Sequence, residues 1–309
     1  VRLHASVGGS CVKCELSGRN LSGARIIGAN FSGATMVGVI LREARLHASV
    51  FIGADLSKAD LSDAAMTGSN FTNANLAGAR MRSTEANGVV FSSANLTRAD
   101  LSDVQATGSV FSRAVMTGVI LKSASLRGVG FDSAMLDRAQ LNDIEATGAN
   151  FSRAQLNGAI FKAAELMGTR FERADASGAN FSDSDLTGAS LAGGDFRRAS
   201  FRSADMTGTN MAGANFDGAD FRDTDISRAM LIGVDLSGVR GLTQDQVDEA
   251  CADSRTRLPR GLTARGCAGS ARWTGRHEQT PRTRIRMAPA VPAPPAPPAA
   301  PRQLISAHP

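Results

Sequence analysis

The chain has 309 residues, 34 lysines and arginines against 29 aspartates and glutamates, a formal net charge of +5, 32 glycines and no tyrosine. That length holds one or two domains. Nothing in it approaches the run of about 18 apolar residues that a membrane helix needs, so the sequence reads as that of a soluble protein. The charge is uneven: residues 1–140 carry 14 basic and 10 acidic side chains, residues 141–240 carry 10 and 14, and the remainder 10 and 5.

Residues 1–15 read as an irregular N-terminal lead-in. Val1 to Ser10 lacks the apolar segment of a secretory signal, which predicts a cytoplasmic protein with Cys251 and Cys267 as free thiols. Four cysteines in so long a chain do not make a disulfide scaffold. Cys11 and Cys14 are read either as a degenerate first pentad or as half of a metal or redox site. A zinc site wants four ligands, and Cys251 and Cys267 lie far along the chain, which favours the pentad.

From Leu16 to Leu236 every fifth residue is a large apolar side chain or an alanine, and the residue two before it is almost always small. These central positions make 45 pentads without insertion or deletion, and all 14 phenylalanines fall on them. A period of five fits neither standard element. On a helix each repeat would rotate the apolar residue by roughly 140°, and on a flat strand successive apolar residues would face opposite sides. A chain that turns a corner once per pentad points every central residue and every small residue inward.

The aromatic residues set the number of corners. Phe31, Phe51, Phe71, Phe91, Phe111, Phe131, Phe151 and Phe171 recur every 20 residues, and Phe161, Phe181, Phe201 and Phe221 form a second column with the same interval. Four pentads therefore make one coil, and the expected solid is a square, all-β solenoid of stacked short strands. A narrow lumen needs small residues and has no place for a buried hydroxyl. A longer period of 40 residues is also visible in Asp63, Asp103, Asp143, Asp183 and Asp223, as if the chain grew by two-coil units.

The order Ala, Asp or Asn, Leu or Phe, then two mostly polar residues, as in Ala54-Asp55-Leu56-Ser57-Lys58 and Ala59-Asp60-Leu61-Ser62-Asp63, resembles the pentapeptide-repeat family over about residues 11–240. The resemblance implies a right-handed quadrilateral parallel β-helix, here of about 11 coils. It also implies two kinds of function: a non-catalytic protein-interaction scaffold or, as in some members, a DNA mimic that modulates a type II topoisomerase such as gyrase.

Beyond residues 16–240 the pattern stops. Thr243 with Gln246 makes a capping box, and Leu242 can staple onto Val247. This predicts a helix from Gln244 to about Ala252 within a capping segment, 241–267, over the last coil. The run from Gly241 through Leu262 also resembles the C-terminal segment of bacterial pentapeptide-repeat proteins. Cys251 and Cys267 pair only if the protein is exported. Residues 268–309, rich in Arg, Pro and Ala, read as a disordered tail, the one segment suited to nucleic acid, through its charge.

For catalysis the inventory is thin. Of His4, His47, His277 and His308 only His47 lies in the solenoid, facing outward, and no nucleophile–base pair, metal motif or phosphate loop occurs. No enzyme and no cofactor is expected. The outward columns carry more information. Glu145, Glu165, Asp185, Asp205 and Asp225 recur every 20 residues and form a carboxylate ladder. It is read either as a docking strip for a basic protein partner or as Asp and Asn serving the backbone at turns. Val50, Val90 and Val110, and likewise Ile40, Ile120 and Ile160, form outward apolar columns that could be contact patches.

Overall fold

The computed structural model describes residues 9–264 and 266. Backbone pairing follows the pentads closely. Parallel single-residue bridges join each residue before a central position to the one 20 further on, from Ser10↔Asn30 to Asp220↔Arg240. Four such ladders run the length of the solenoid, one per face.

One pentad shows why the pattern is stable. Asn70 N–H donates to the Ser49 carbonyl of the coil before (2.9 Å), and Phe71 N–H to the Val90 carbonyl of the coil after (2.7 Å). Asn73 N–H also reaches the next coil, at Ser92 (3.0 Å), and Ala74 N–H closes the turn onto Phe71 (3.0 Å). The fifth donor, Thr72 N–H, finds the Asn70 side-chain Oδ1 at 2.9 Å. All five amides are satisfied, as buried backbone demands. The last bond needs a short side-chain acceptor before the central residue, which is the physical content of the Asp/Asn preference.

The third residue of each turn sits in the left-handed region. Glycine fills it at Gly68 (φ 70°) and Gly148 (φ 69°), but 23 non-glycine residues hold it as well, among them Arg153 (φ 59°) and Asp183 (φ 60°). Left-handed conformations cost a side chain on the order of 1–2 kcal/mol each, so the paired ladders and the filled lumen have to impose this geometry.

The lumen is one continuous core. The rings from Phe31 to Phe151 stack at 4.7–5.2 Å between centroids, each on the next. Where a central residue is alanine on one face, the residue two before it is larger: Thr84 with Ala86, Val104 with Ala106, Ile144 with Ala146, all buried. Volume lost at one position is returned two residues away, as a close-packed interior requires. Buried hydroxyls do occur, contrary to the sequence expectation. Ser49 and Thr224 donate to the Ile26 and Phe201 carbonyls at 3.0 and 2.7 Å, so the backbone of a neighbouring coil supplies the partner a tyrosine would lack room to find.

Helix α1, Gln244–Asp248, begins with the predicted capping box between Thr243 and Gln246. Val247 is buried and Leu242 packs against the core. The helix is shorter than expected because the chain returns to the ladder. Cys251 bridges Met230 and Arg257 bridges Asp235, and both need extended backbone. Gln246 Nε2 meanwhile donates to the Phe221 and Thr224 carbonyls at 3.2 and 2.6 Å, which lays α1 against the final coil. The expected tail lies outside the described residues.

The three described cysteines are all disulfide-bonded. Cys11 and Cys14 form a disulfide, with Cys11 in the central register and Cys14 in the small one, both packed against the core. The degenerate pentad therefore holds, with its two side chains joined. Cys251 is also disulfide-bonded rather than free; Cys267 lies outside the described residues.

Candidate interaction surface

The carboxylate ladder is a continuous line. Glu145, Glu165, Asp185, Asp205 and Asp225 are joined by successive bridges, so one carboxylate stands on each of five stacked coils at roughly 4.8 Å intervals. The three aspartates each accept their own turn's amide through Oδ1, from Thr187 and Thr207 at 2.9 Å and from Ser227 at 3.0 Å. Glu145 Oε2 accepts from Arg127 Nη2 at 2.8 Å, and Glu165 stands exposed. Of the two sequence readings, the service of aspartate to the turn is the one these hydrogen bonds display. The aspartates serve the turn with one oxygen, while the column as a whole keeps a single sign over five coils.

The corner beside this face behaves differently. Asp63, Asp103, Asp143, Asp183 and Asp223, all in the left-handed region, alternate coil by coil with Arg82, Lys122, Lys162 and Arg202. Lys162 lies 3.8 Å from Asp183 and Arg202 3.9 Å from Asp223. This gives the 40-residue period a physical meaning, since two coils are the shortest unit that returns the same sign to the same corner. Exposed pairs of this kind contribute well under about 1 kcal/mol each. Their alternation also cancels the field within a few ångströms, so the corner cannot attract a partner over distance.

Sequence reasoning missed the ion pairs formed across a single turn. Arg197 and Arg222 fold back on Asp195 and Asp220 at 2.6 and 2.5 Å. Those hydrogen bonds hold both carboxyls below their ordinary range against the opposing effect of burial. Asp253 is held well below it by the Gly233 N–H and then by Arg255, and so pins the returning segment to the last coil. The signal in sequence was Asp followed two residues later by Arg.

The apolar columns are only partly assembled. Val90 bridges Val110, but Asn70 separates Val50 from Val90, and Gln140 separates Ile120 from Ile160; all are half-buried. Ile40, also half-buried, bridges Asp60. Among the described residues, the large apolar side chains that do stand exposed are Val12, Ile27, Ile52, Met135, Met167 and Met230, none of them predicted. Among the described residues no group of three or more His, Cys, Asp or Glu side chains could hold a metal ion, and no helix is long and apolar enough to cross a membrane.

A tandem repeat of single-residue bridges wound four to a coil defines a parallel β-solenoid, the architecture of repeat proteins built from five-residue units. The family model for pentapeptide repeats matches repeatedly, over residues 10–47, 49–85, 74–113, 94–132, 124–162, 164–202 and 199–238, and the chain belongs to the pentapeptide-repeat family. Among solved structures it is similar to HetL, a pentapeptide-repeat protein involved in heterocyst differentiation regulation from the cyanobacterium Nostoc sp. strain PCC 7120, at 29% identity over 70% of this chain and 89% of that one, with a TM-score of 0.38. It is similar to trypsin-treated QnrB1, a plasmid-mediated fluoroquinolone resistance protein, at 21% identity over 71% and 92%, TM-score 0.33. A pentapeptide-repeat protein of the Arabidopsis thaliana thylakoid lumen matches at 24% identity over 47% and 69%, TM-score 0.13. A comparison with curated proteins finds none that matches.

Proposed function

We propose that the protein is a non-catalytic interaction scaffold that docks a basic protein partner along the face carrying Glu145, Glu165, Asp185, Asp205 and Asp225. The observation that supports this is the contrast between two neighbouring lines of charge: the face column keeps one sign over five coils, whereas the corner beside it alternates. On this reading the coil is right-handed, the hand favoured for parallel connections. About 11 coils form the rod, and α1 with the segment after it closes the C-terminal end against edge pairing.

The test uses a property of the turns. Asparagine supplies the same Oδ1 acceptor as aspartate, so Asp185→Asn, Asp205→Asn and Asp225→Asn with Glu165→Gln remove charge and keep the turn bonds. A partner captured from source-cell lysate by the parent protein and lost by this variant supports the reading; equal capture by both refutes it. The topoisomerase reading is separated by a supercoiling assay, in which only a DNA mimic changes gyrase activity.

A further inference from the structure

The disulfide between Cys11 and Cys14 has no part in the proposed docking face, and its place in the fold is unusual. It joins the central and small positions of the first pentad, the two residues that elsewhere fill the lumen as Leu or Phe and Ala. The same two residues already close the turn, Cys14 N–H donating to the Cys11 carbonyl at 3.3 Å. A bridge across so short a loop removes little chain entropy, so global stability does not account for it. Both residues are only half-buried, which leaves the sulfurs within reach of a thiol.

We propose that this disulfide is a reversible redox site that controls how firmly the first coil is held to the second. A small-molecule or protein thiolate attacks one sulfur and forms a mixed disulfide. A second external thiol resolves it, leaving Cys11 and Cys14 as thiols and the two external thiols as one disulfide. Two electrons pass inward and each cysteine gains a proton. Disulfides that solvent and external thiols can reach are the ones that exchange most readily.

The consequence follows from the hydrogen bonds that surround the pair. Cys11 N–H, Lys13 N–H and Leu16 N–H donate upward to the Asn30, Ser32 and Thr35 carbonyls at 2.7, 2.9 and 2.7 Å, and Thr35 N–H donates down to the Cys14 carbonyl at 2.9 Å. Lys13 also holds a left-handed φ of 56°, inside the loop that the bridge closes. Once reduced, the pentad loses that restraint. These four bonds are then the first to open, and the second coil offers its edge groups for pairing.

Hydrogen exchange of the full chain, with alkylation and mass spectrometry to score the thiols, tests this. Reduction is expected to raise exchange at Cys11, Lys13, Leu16 and Thr35 by tenfold or more, reversed on reoxidation, while Asp55 and Asn75 deeper in the rod stay protected. The Cys11→Ser, Cys14→Ser variant should exchange like the reduced protein and ignore reductant, which separates this site from the disulfide at Cys251. Unchanged exchange in a sample whose Cys11 and Cys14 are shown to be alkylated after reduction would overturn the proposal. So would alkylation of both residues without any reductant.

Discussion

Phe151 and Phe161 meet edge to face across the lumen, ring centroids 5.6 Å apart and planes at 90°. Before this contact the aromatic column runs up one face, from Phe31; beyond Phe171 it continues on the opposite face through Phe181 and Phe201. The coils around the crossing carry rings from both sides, and the central positions beside them include the buried Ala146 and Ala176. Phe161→Ala should therefore cost about 3–5 kcal/mol, and Phe131→Asp more, because it places a charge in the stack. Denaturant melts of both variants check this, and an unchanged midpoint in Phe131→Asp would contradict the filled-lumen account.

Asn75 tests the turn bonds. Its amide donates to Asp55 Oδ1 at 3.0 Å and accepts from Asn95 Nδ2 at 3.2 Å, while its oxygen also accepts the Ala77 amide at 3.3 Å. Asn75→Ala strands all three neighbours on a half-buried surface and should cost about 1–2 kcal/mol. The same change at an outward valine such as Val115 should be nearly silent in the same melt.

Thr209 and Thr224 make an opposed pair. The Thr209 hydroxyl is buried without a hydrogen-bond partner, whereas Thr224 donates to the Phe201 carbonyl at 2.7 Å. Thr209→Val should stabilise the fold by about 1 kcal/mol, since it removes an unpaired polar group, and Thr224→Val should destabilise it by about the same amount. Equal effects of one sign would show that hydroxyl pairing does not govern this lumen.

The sequence carried the architecture because its signal is geometric. The pentad period, the 20-residue spacing of Phe31 to Phe171 and the Thr243–Gln246 box each follow from local chemistry, and each has its counterpart in the bridges, the ring stack and α1. What local chemistry could not fix was the end of the helix. Gln244 to Ala252 reads as helical until Cys251 is drawn into a bridge with Met230, a contact 21 residues away in sequence. The candidate surface was legible as spacing, but not in its electrostatics. Asp225 reads as one more free carboxylate until its turn, with Ser227 N–H at 3.0 Å, is in view.

Acid should loosen the C-terminal coils most, because four carboxyls held below their ordinary range cluster there, while Glu15 and Asp100 stand singly in earlier coils. Asp195, Asp220, Asp235 and Asp253 are held below the ordinary carboxyl value, chiefly by hydrogen bonds from Arg197, Arg222, Ser237 and the Gly233 amide. A depressed folded-state value means stabilisation that is complete above the unfolded-state value, near pH 4, and is lost as pH falls through the folded one. Pepsin, active in acid, should therefore cut first within residues 195–257. Initial cleavage in the coils between Leu21 and Phe91 would contradict this.

The docking claim is tested most directly by carbodiimide footprinting of carboxylates, with and without the captured partner, read residue by residue in a mass spectrometer. The account expects protection of Glu145, Glu165, Asp185, Asp205 and Asp225, with Asp63 and Asp103 on the alternating corner labelled equally in both samples. Protection confined to other carboxylates, or none on this face with the partner bound, would contradict it.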